Sequence, residues 1–187
     1  MSKTLKIRMI NLSSILLCLI PIFLQTGPFL PDLSLSIISL IFVCITLIER
    51  DYKYYNNKYF IFLIIFYLYL LINSFFSTNI LFSLENSLFY IRFIIFSLAV
   101  WHLLNNNNQI LKFFTIALFV AFMIAIIDGY YQYFFETNII GIVPLYDFRM
   151  SLPFDDRLIL GGYLSRLFPL LLALIIIQLE TKFTYIL

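Results

Sequence analysis

The chain has 187 residues, of which 63% are hydrophobic and 12% are charged, and its mean hydropathy is +0.99. A soluble domain is about 45–50% apolar and about 25% charged, so the composition excludes an ordinary water-soluble protein and predicts an integral membrane protein. The net charge of +2 says little about partners, because the position of each charge matters more than the sum. No pattern indicates nucleic-acid binding, a metal site, a glycine-rich phosphate loop, or a serine or cysteine nucleophile.

Apolar segments recur along the whole chain, and six of them are long enough to span a bilayer, which takes about 20 residues. They lie at 9–25, 33–48, 59–76, 84–104, 110–128 and 158–179. The basic N-terminus is followed by an apolar run but by no small-x-small cleavage site, so we expect an uncleaved first helix. The sequence therefore predicts an all-α, polytopic membrane helical bundle of about six transmembrane helices, forming a single transmembrane domain over residues 1–187.

Lysine and arginine predict the orientation of this bundle, because they concentrate in short cytoplasmic segments. When the N-terminus is placed inside, the basic residues on the cytoplasmic side are Lys3, Lys6, Arg8, Arg50, Lys53, Lys58, Lys112 and Lys182. Both termini are then cytoplasmic. The long loop from Asp128 to Asp156 faces the outside.

The basic residues that this orientation leaves over are all arginines, namely Arg92, Arg149, Arg157 and Arg166. Arg92 and Arg166 fall inside predicted spanning segments, where a central arginine costs about 2.5–3.5 kcal/mol on insertion scales. Such residues either reach lipid phosphates, pair with an acidic residue such as Glu85, or line an outward-facing cavity that binds an anionic ligand. Arginine suits the last role because its planar guanidinium binds phosphate oxygens bidentately and stays charged.

The last predicted helix has a face that a purely lipid-exposed helix does not need. Gly162, Arg166 and Pro169 share one face at helical spacing, and Gly161 with Ser165 forms a small-xxx-small pair beside it, which would let another helix approach closely. A proline inside a spanning helix also frees the carbonyl four residues earlier for a polar partner or water. The pattern favours a helix that lines a polar cavity.

Polar residues stand at both ends of the predicted external loop. Asp128 and Gln132 are spaced by one helical turn and share a face, so they are candidates for orienting side chains of the loop. The aromatic run 130–135 predicts an interfacial belt. Asp155 or Asp156 is a candidate N-cap for the last helix.

The stretches DGYYQYFFETNIIGI and FRMSLPFDDRLILGGYLSRLFP are similar to the middle of the bacterial O-antigen ligase and O-antigen polymerase superfamily. In that family a helix that ends in an acidic-x-x-x-Gln pattern precedes an external loop with an Arg–small–x–x–Phe element. An acidic or Asn residue, a Leu–Gly–x–Tyr–Leu helix start and a helical proline follow. The matching positions here are Asp128, Gln132, Arg149, Ser151, Phe154, Asp155, Gly161, Tyr163, Leu164 and Pro169.

The resemblance implies a metal-independent glycosyltransferase without a cofactor, at the periplasmic face of the bacterial inner membrane. The donor would be an undecaprenyl-diphosphate-linked glycan, and the acceptor would be lipid A–core in a ligase or another lipid-linked glycan in a polymerase. Arginines would bind the diphosphate leaving group, with Arg149 the best candidate by position and Arg157, Arg166 and Arg92 weaker ones. Supporting positions would be Asp128, Gln132, Asp155, Gly161, Gly162 and Pro169. The other partners would be membrane lipids, with no nucleic acid.

The chain also departs from that family, whose members are considerably longer. In the ligases a later loop supplies further arginine and a histidine proposed as the base, whereas the one histidine here, His102, falls at the predicted cytoplasmic end as an interfacial polar residue. We therefore expect the chain to represent an N-terminal half that is inactive alone.

Two alternatives stay open. One is a transporter or flippase for an anionic polyprenyl lipid, although no internal repeat is found. The other is a non-catalytic membrane subunit that packs through Gly161 and Ser165.

Overall fold

A computed structural model describes residues 3–141, 150–153 and 159–184 of the chain. In these ranges all regular secondary structure is helical, and there is no β-strand. The helices are α1 (Lys3–Phe23), α2 (Phe29–Glu49), α3 (Lys58–Ser74), α4 (Ile80–Phe89), α5 (Ile91–Asn106), α6 (Gln109–Phe135) and α7 (Leu160–Thr184). The all-α fold predicted from composition and hydropathy is confirmed.

The helices correspond one to one with the predicted crossings once α4 and α5 are taken together. Tyr90, the residue between them, keeps helical dihedral angles of φ −63° and ψ −25°, so Ile80–Asn106 forms one apolar rod. This rod and helices α1, α2, α6 and α7 are long and apolar enough to cross a membrane, and α3 is an apolar helix of 17 residues. The chain is therefore a multi-pass membrane protein.

Two helix boundaries differ from the predictions in ways that matter for the site. Helix α6 continues to Phe135, so the aromatic run 130–135 belongs to its last turns. Helix α7 begins at Leu160, and Asp155 and Asp156, the predicted caps of this helix, lie outside the described residues. The first backbone N–H of α7, that of Leu160, donates to the carbonyl of Met150 at 3.4 Å.

The chain divides into two compact units. Unit 1 comprises Met1–Leu17 and Leu33–Asn107, and its core contains Ile38, Phe42 and Ile45 of α2 at one helical face. At one end of this unit Lys6 Nζ lies 2.6 Å from Glu49 Oε2. This ion pair places the start of α1 beside the end of α2, as two antiparallel crossings require.

Unit 2 comprises Cys18–Asp32 and Asn108–Leu187, and in it α6 packs antiparallel against α7. Apolar residues form the core: Leu118, Phe122, Ala125, Leu152, Leu160, Tyr163, Leu171 and Leu174. Near the start of α6 and the end of α7, Gln178 Nε2 donates to Thr115 Oγ1 at 2.6 Å. Between membrane helices such a bond contributes about 0.6–2 kcal/mol, since lipid tails leave little hydrophobic drive for association.

Candidate functional site

Two polar side chains are buried where α6 ends. Asp128 is 0% exposed and Gln132 is 4% exposed, although both belong to a helix whose neighbouring positions are aromatic and exposed. Their spacing of one turn brings the side chains together, and Gln132 Nε2 donates to Asp128 Oδ2 at 2.5 Å. A buried polar pair of this kind is costly unless its remaining atoms are also hydrogen-bonded.

The remaining atoms of this pair bind the backbone on both sides of segment 142–149. The N–H of Ile139 donates to Asp128 Oδ1 at 2.8 Å. The N–H of Ser151 donates to Gln132 Oε1 at 3.0 Å, and Gln132 Nε2 donates to the Ser151 carbonyl at 3.0 Å. We call this arrangement of Asp128, Gln132, Ile139 and Ser151 the clamp. The sequence suggested that Asp128 and Gln132 orient loop side chains, whereas the clamp binds loop backbone.

A second tie joins the same two stretches. Helix α6 ends at Phe135, and the φ of 59° at the next residue, Glu136, reverses the chain; Asn138 follows with 1% of its surface exposed. Asn138 Nδ2 donates to the Pro153 carbonyl at 3.2 Å, and its Oδ1 accepts the N–H of Ile140 at 3.1 Å. Sequence reasoning gave no role to Asn138. The only local signal was a polar residue directly after the aromatic run.

Among the glycines of α6 and α7, Gly129 has a close neighbour on the other helix, whereas the glycines of α7 do not. A Cβ added to Gly129 would lie 2.8 Å from Leu160 Cδ2 and 3.6 Å from Met150 Sδ. At Gly161 and Gly162 an added Cβ would meet nothing within 4 Å. A side chain at position 129 would therefore require Leu160 to shift, whereas one at position 161 or 162 would meet no neighbour.

An apolar groove of about 360 Å³ lies beside the clamp in unit 2. It is lined by Ile126, Gly129, Tyr130, Tyr133, Met150, Leu160 and Leu164. Its walls thus come from the last turns of α6, the first turns of α7 and the stretch that the clamp fixes. The lining suits a hydrocarbon chain and offers almost no polar surface.

The face of α7 that was predicted to line a polar cavity is exposed in the described part of the chain. Gly162, Arg166 and Pro169 are all exposed on the side of the helix that is turned away from Leu160 and Leu171. Arg166 lies six residues after the start of α7, which is about 9 Å along the axis. Among the described residues no acidic side chain forms an ion pair with it.

Arg92 lies farther from the start of its helical segment than the predicted segment 84–104 implied. The rod that contains it begins at Ile80, so Arg92 is near the middle of its 27 residues and about 18 Å from the start. Its side chain is half-buried, and its guanidinium carbon is 5.1 Å from the centre of the Phe93 ring. Arg92 belongs to unit 1, whereas the clamp and Arg166 belong to unit 2.

Three predicted site residues, Arg149, Arg157 and Asp155, lie outside the described residues. The other positions sort into three groups. Asp128 and Gln132 form the clamp; Gly161, Gly162, Arg166 and Pro169 share the first turns of α7; and Arg92 stands apart in unit 1. Among the described residues no group of His, Cys, Asp and Glu has the arrangement of a metal site.

The sequence missed a third buried polar contact in unit 2. Gln25 is 0% exposed, and its Nε2 donates to the Ala121 carbonyl at 2.6 Å and to Tyr163 Oη at 3.3 Å. Tyr163 in turn donates its hydroxyl proton to the Pro21 carbonyl at 2.8 Å. Gln25 is the last residue of the predicted segment 9–25, a position at a helix–loop border where polar side chains are common and give no signal of burial.

No family model matches the chain, and no curated protein or solved structure is significantly similar to it.

Proposed function

We propose that this chain acts as a membrane glycosyltransferase of the O-antigen ligase and polymerase type, which transfers a glycan from a polyprenyl diphosphate at the outer face of the bacterial inner membrane. One observation supports this most: the clamp fixes Ser151, which follows Arg149 by two residues in sequence. A side chain that must meet a diphosphate needs a backbone that is already positioned, because misplacement of a binding group loses much of its effect. The buried Asp128 and Gln132 are suited to this positioning role.

The chemistry of the reaction accounts for the arginines. The bond between the sugar's anomeric carbon and the diphosphate breaks, and the diphosphate leaves with an added negative charge. The oxygen of the acceptor hydroxyl forms the new bond to that carbon, and the hydroxyl proton passes to a general base. A guanidinium beside the departing oxygens stabilises charge that grows in the transition state. Arg149 is the principal candidate, and Arg157 and Arg166 are further ones. Arg92 is the weakest, because it lies near the middle of its rod.

The apolar groove supports the same proposal from the lipid side. A polyprenyl carrier has a long hydrocarbon chain attached to its diphosphate, and the groove between α6 and α7 is apolar and adjoins the clamp. A chain seated there would bring its headgroup close to the stretch that ends at Ser151. Tyr130 and Tyr133, which line the groove, belong to the aromatic run typical of the membrane–water interface.

The proposal is tested by ligand binding. The chain would be reconstituted in lipid nanodiscs and titrated with a polyprenyl diphosphate, the corresponding monophosphate and the free polyprenol. We expect the diphosphate to bind most tightly and Arg149→Ala to weaken it about tenfold or more, which corresponds to about 1.4 kcal/mol, a typical contribution of charge-assisted hydrogen bonds. Lys112→Ala, at the start of α6, is the matched control and should bind as the parent does.

Three results would reject the proposal or redirect it. Equal binding of diphosphate and polyprenol would remove the anionic site altogether. Unchanged binding in Arg149→Ala, Arg157→Ala and Arg166→Ala would favour a non-catalytic subunit. Movement of a fluorescent polyprenyl diphosphate across the bilayer, without glycan transfer to lipid A–core or to a second lipid-linked glycan, would favour a flippase.

A further inference from the structure

Unit 1 contains a small apolar cavity with two polar side chains among its lining residues. It has about 10 Å³ of room for the centre of a water molecule, which is close to the space that one water needs. It is lined by Ile10, Ser13, Ile38, Ile41, Phe42, Ile45, Ala99, His102 and Leu103. Ser13 comes from α1 and His102 from α5, so the cavity lies between these helices and α2.

Each of the two polar side chains has an atom that lacks a protein partner. Ser13 is 2% exposed and His102 is 6% exposed. Among the described residues, neither Ser13 Oγ nor His102 Nδ1 has a hydrogen-bond partner. Leaving one such atom unsatisfied in a buried site costs about 1–3 kcal/mol. Two of them beside one small cavity indicate that something small fills it.

The hydrogen bonds of Asn106 determine which ring nitrogen of a neutral His102 carries the proton. Asn106 Nδ2 lies 2.8 Å from the carbonyl oxygen of His102, which can only accept, so this atom must be the amide nitrogen. The same nitrogen lies 3.1 Å from His102 Nε2, so Nε2 accepts. A neutral imidazole with an accepting Nε2 carries its proton on Nδ1.

Aromatic neighbours hold the imidazole in this orientation. The ring centre of His102 lies 5.2 Å from that of Tyr54 in an edge-to-face arrangement and 5.6 Å from that of Phe42. Tyr54 itself is 1% exposed. A ring packed in this way does not turn to find another partner for Nδ1. The Nδ1–H group therefore needs an acceptor beside the cavity.

We propose that unit 1 binds one structural water molecule between α1 and α5. The water accepts a hydrogen bond from the Nδ1–H of His102 and donates one to Ser13 Oγ. This satisfies both atoms and gives the water two partners, the lower end of the usual range for buried water. A cation does not fit, because the imidazole presents a proton to the cavity. The prediction that His102 is an interfacial polar residue is thereby refined: it lies at the end of α5 but inside the packed core of the unit.

The direct test is nuclear magnetic resonance of the whole chain labelled with ¹⁵N-histidine in nanodiscs. His102 is the only histidine, so its imidazole signals need no assignment. We expect the proton on Nδ1, none on Nε2, and cross-relaxation between the Nδ1 proton and a bound water. A proton on Nε2, or a Nδ1 proton without contact to water, would overturn the proposal. This measurement does not depend on any variant folding.

A double-mutant cycle provides an independent test. Ser13→Ala and His102→Phe each remove one partner of the water, and His102→Phe leaves Asn106 Nδ2 bonded to the backbone carbonyl. Because either change releases the water, the unfolding midpoint of the double variant should fall no further than that of the worse single variant. The control replaces Ser14, whose hydroxyl donates to Ile10 O within α1, and its effect should add to that of His102→Phe. Additive losses for Ser13 and His102 would count against the water.

Discussion

Two clusters of buried polar side chains in this protein differ in how completely the chain satisfies them. In the clamp, both carboxyl oxygens of Asp128 accept hydrogen bonds, and Gln132 uses its oxygen and its nitrogen. In unit 1, Ser13 and His102 each have one atom without a partner among the described residues. Both clusters belong to helices that are long and apolar enough to span a membrane.

The difference separates a scaffold from a binding site. In hydrocarbon no water is available, so a polar atom must be satisfied by protein or by a molecule that is itself buried. In the clamp each polar side-chain atom of Asp128 and Gln132 already has a hydrogen-bond partner, and its role is to hold backbone in place. The cavity is lined by Ser13 and His102, whose Oγ and Nδ1 atoms have no hydrogen-bond partner among the described residues. Its role is to take up a small polar molecule.

The largest expected effect comes from replacing Asp128 by Asn. Asp128 accepts at both oxygens, from Ile139 N–H and from Gln132 Nε2. Whichever way the new amide is turned, its NH₂ group faces one of these donors. We expect a loss of about 3 kcal/mol in the free energy of unfolding, the upper end for an unsatisfied buried group. Reversible unfolding in mixed micelles would measure it.

The control for this substitution is Glu85→Gln in α4. It makes the same chemical change at an exposed position and should leave the stability within about 0.5 kcal/mol of the parent. Equal stability of Asp128→Asn and the parent would mean that the two hydrogen bonds accepted by Asp128 do not stabilise the fold. The clamp would then not differ from the Ser13–His102 cluster in the way described.

The sequence predicted the features that depend on composition and local spacing. The helical segments followed from apolar runs of spanning length, and the pairing of Asp128 with Gln132 followed from their spacing of one turn. The shared face of Gly162, Arg166 and Pro169 followed from the same periodicity. Each of these inferences needs only one element at a time.

The features that the sequence missed all depend on contacts between distant residues. Ser151 is 19 positions from Gln132, and nothing in either local sequence marks the other as its partner. Gly129 reads as an ordinary interruption of α6 until Leu160 is found against it. His102 reads as interfacial because a polar residue near a helix end looks the same whether it faces lipid or a packed core.

The Gln25–Tyr163 contact is intermediate between the two clusters and offers a smaller effect. Gln25 Nε2 is bonded, but Gln25 Oε1 is buried without a partner among the described residues. Replacing Tyr163 by Phe removes the donor to the buried Pro21 carbonyl, so we expect a loss of about 1 kcal/mol in the free energy of unfolding. Tyr130→Phe, at an exposed position of α6, is the control and should change nothing measurable. If Tyr163→Phe lost as much stability as Asp128→Asn, the effects would not follow how completely the hydrogen bonds of each cluster are satisfied.

The smallest expected effect tests the backbone strain next to the clamp, independently of the side chains of the clamp. Glu136 ends α6 with a φ of 59°, a conformation that costs an L-residue about 1–2 kcal/mol and costs glycine little. Glu136→Gly should therefore raise the free energy of unfolding by up to about 1 kcal/mol without touching any hydrogen bond of the clamp. Glu85→Gly, in the middle of α4, is the matched control and should lower it by about 0.5–1 kcal/mol, because glycine is unfavourable inside a helix. The opposite signs of the two substitutions in the same unfolding assay would show that the chain reversal after α6 is held by the clamp against its own backbone preference. If both substitutions destabilise, the reversal is not strained, and the clamp does not have to work against the backbone to position Ile139 and Ser151.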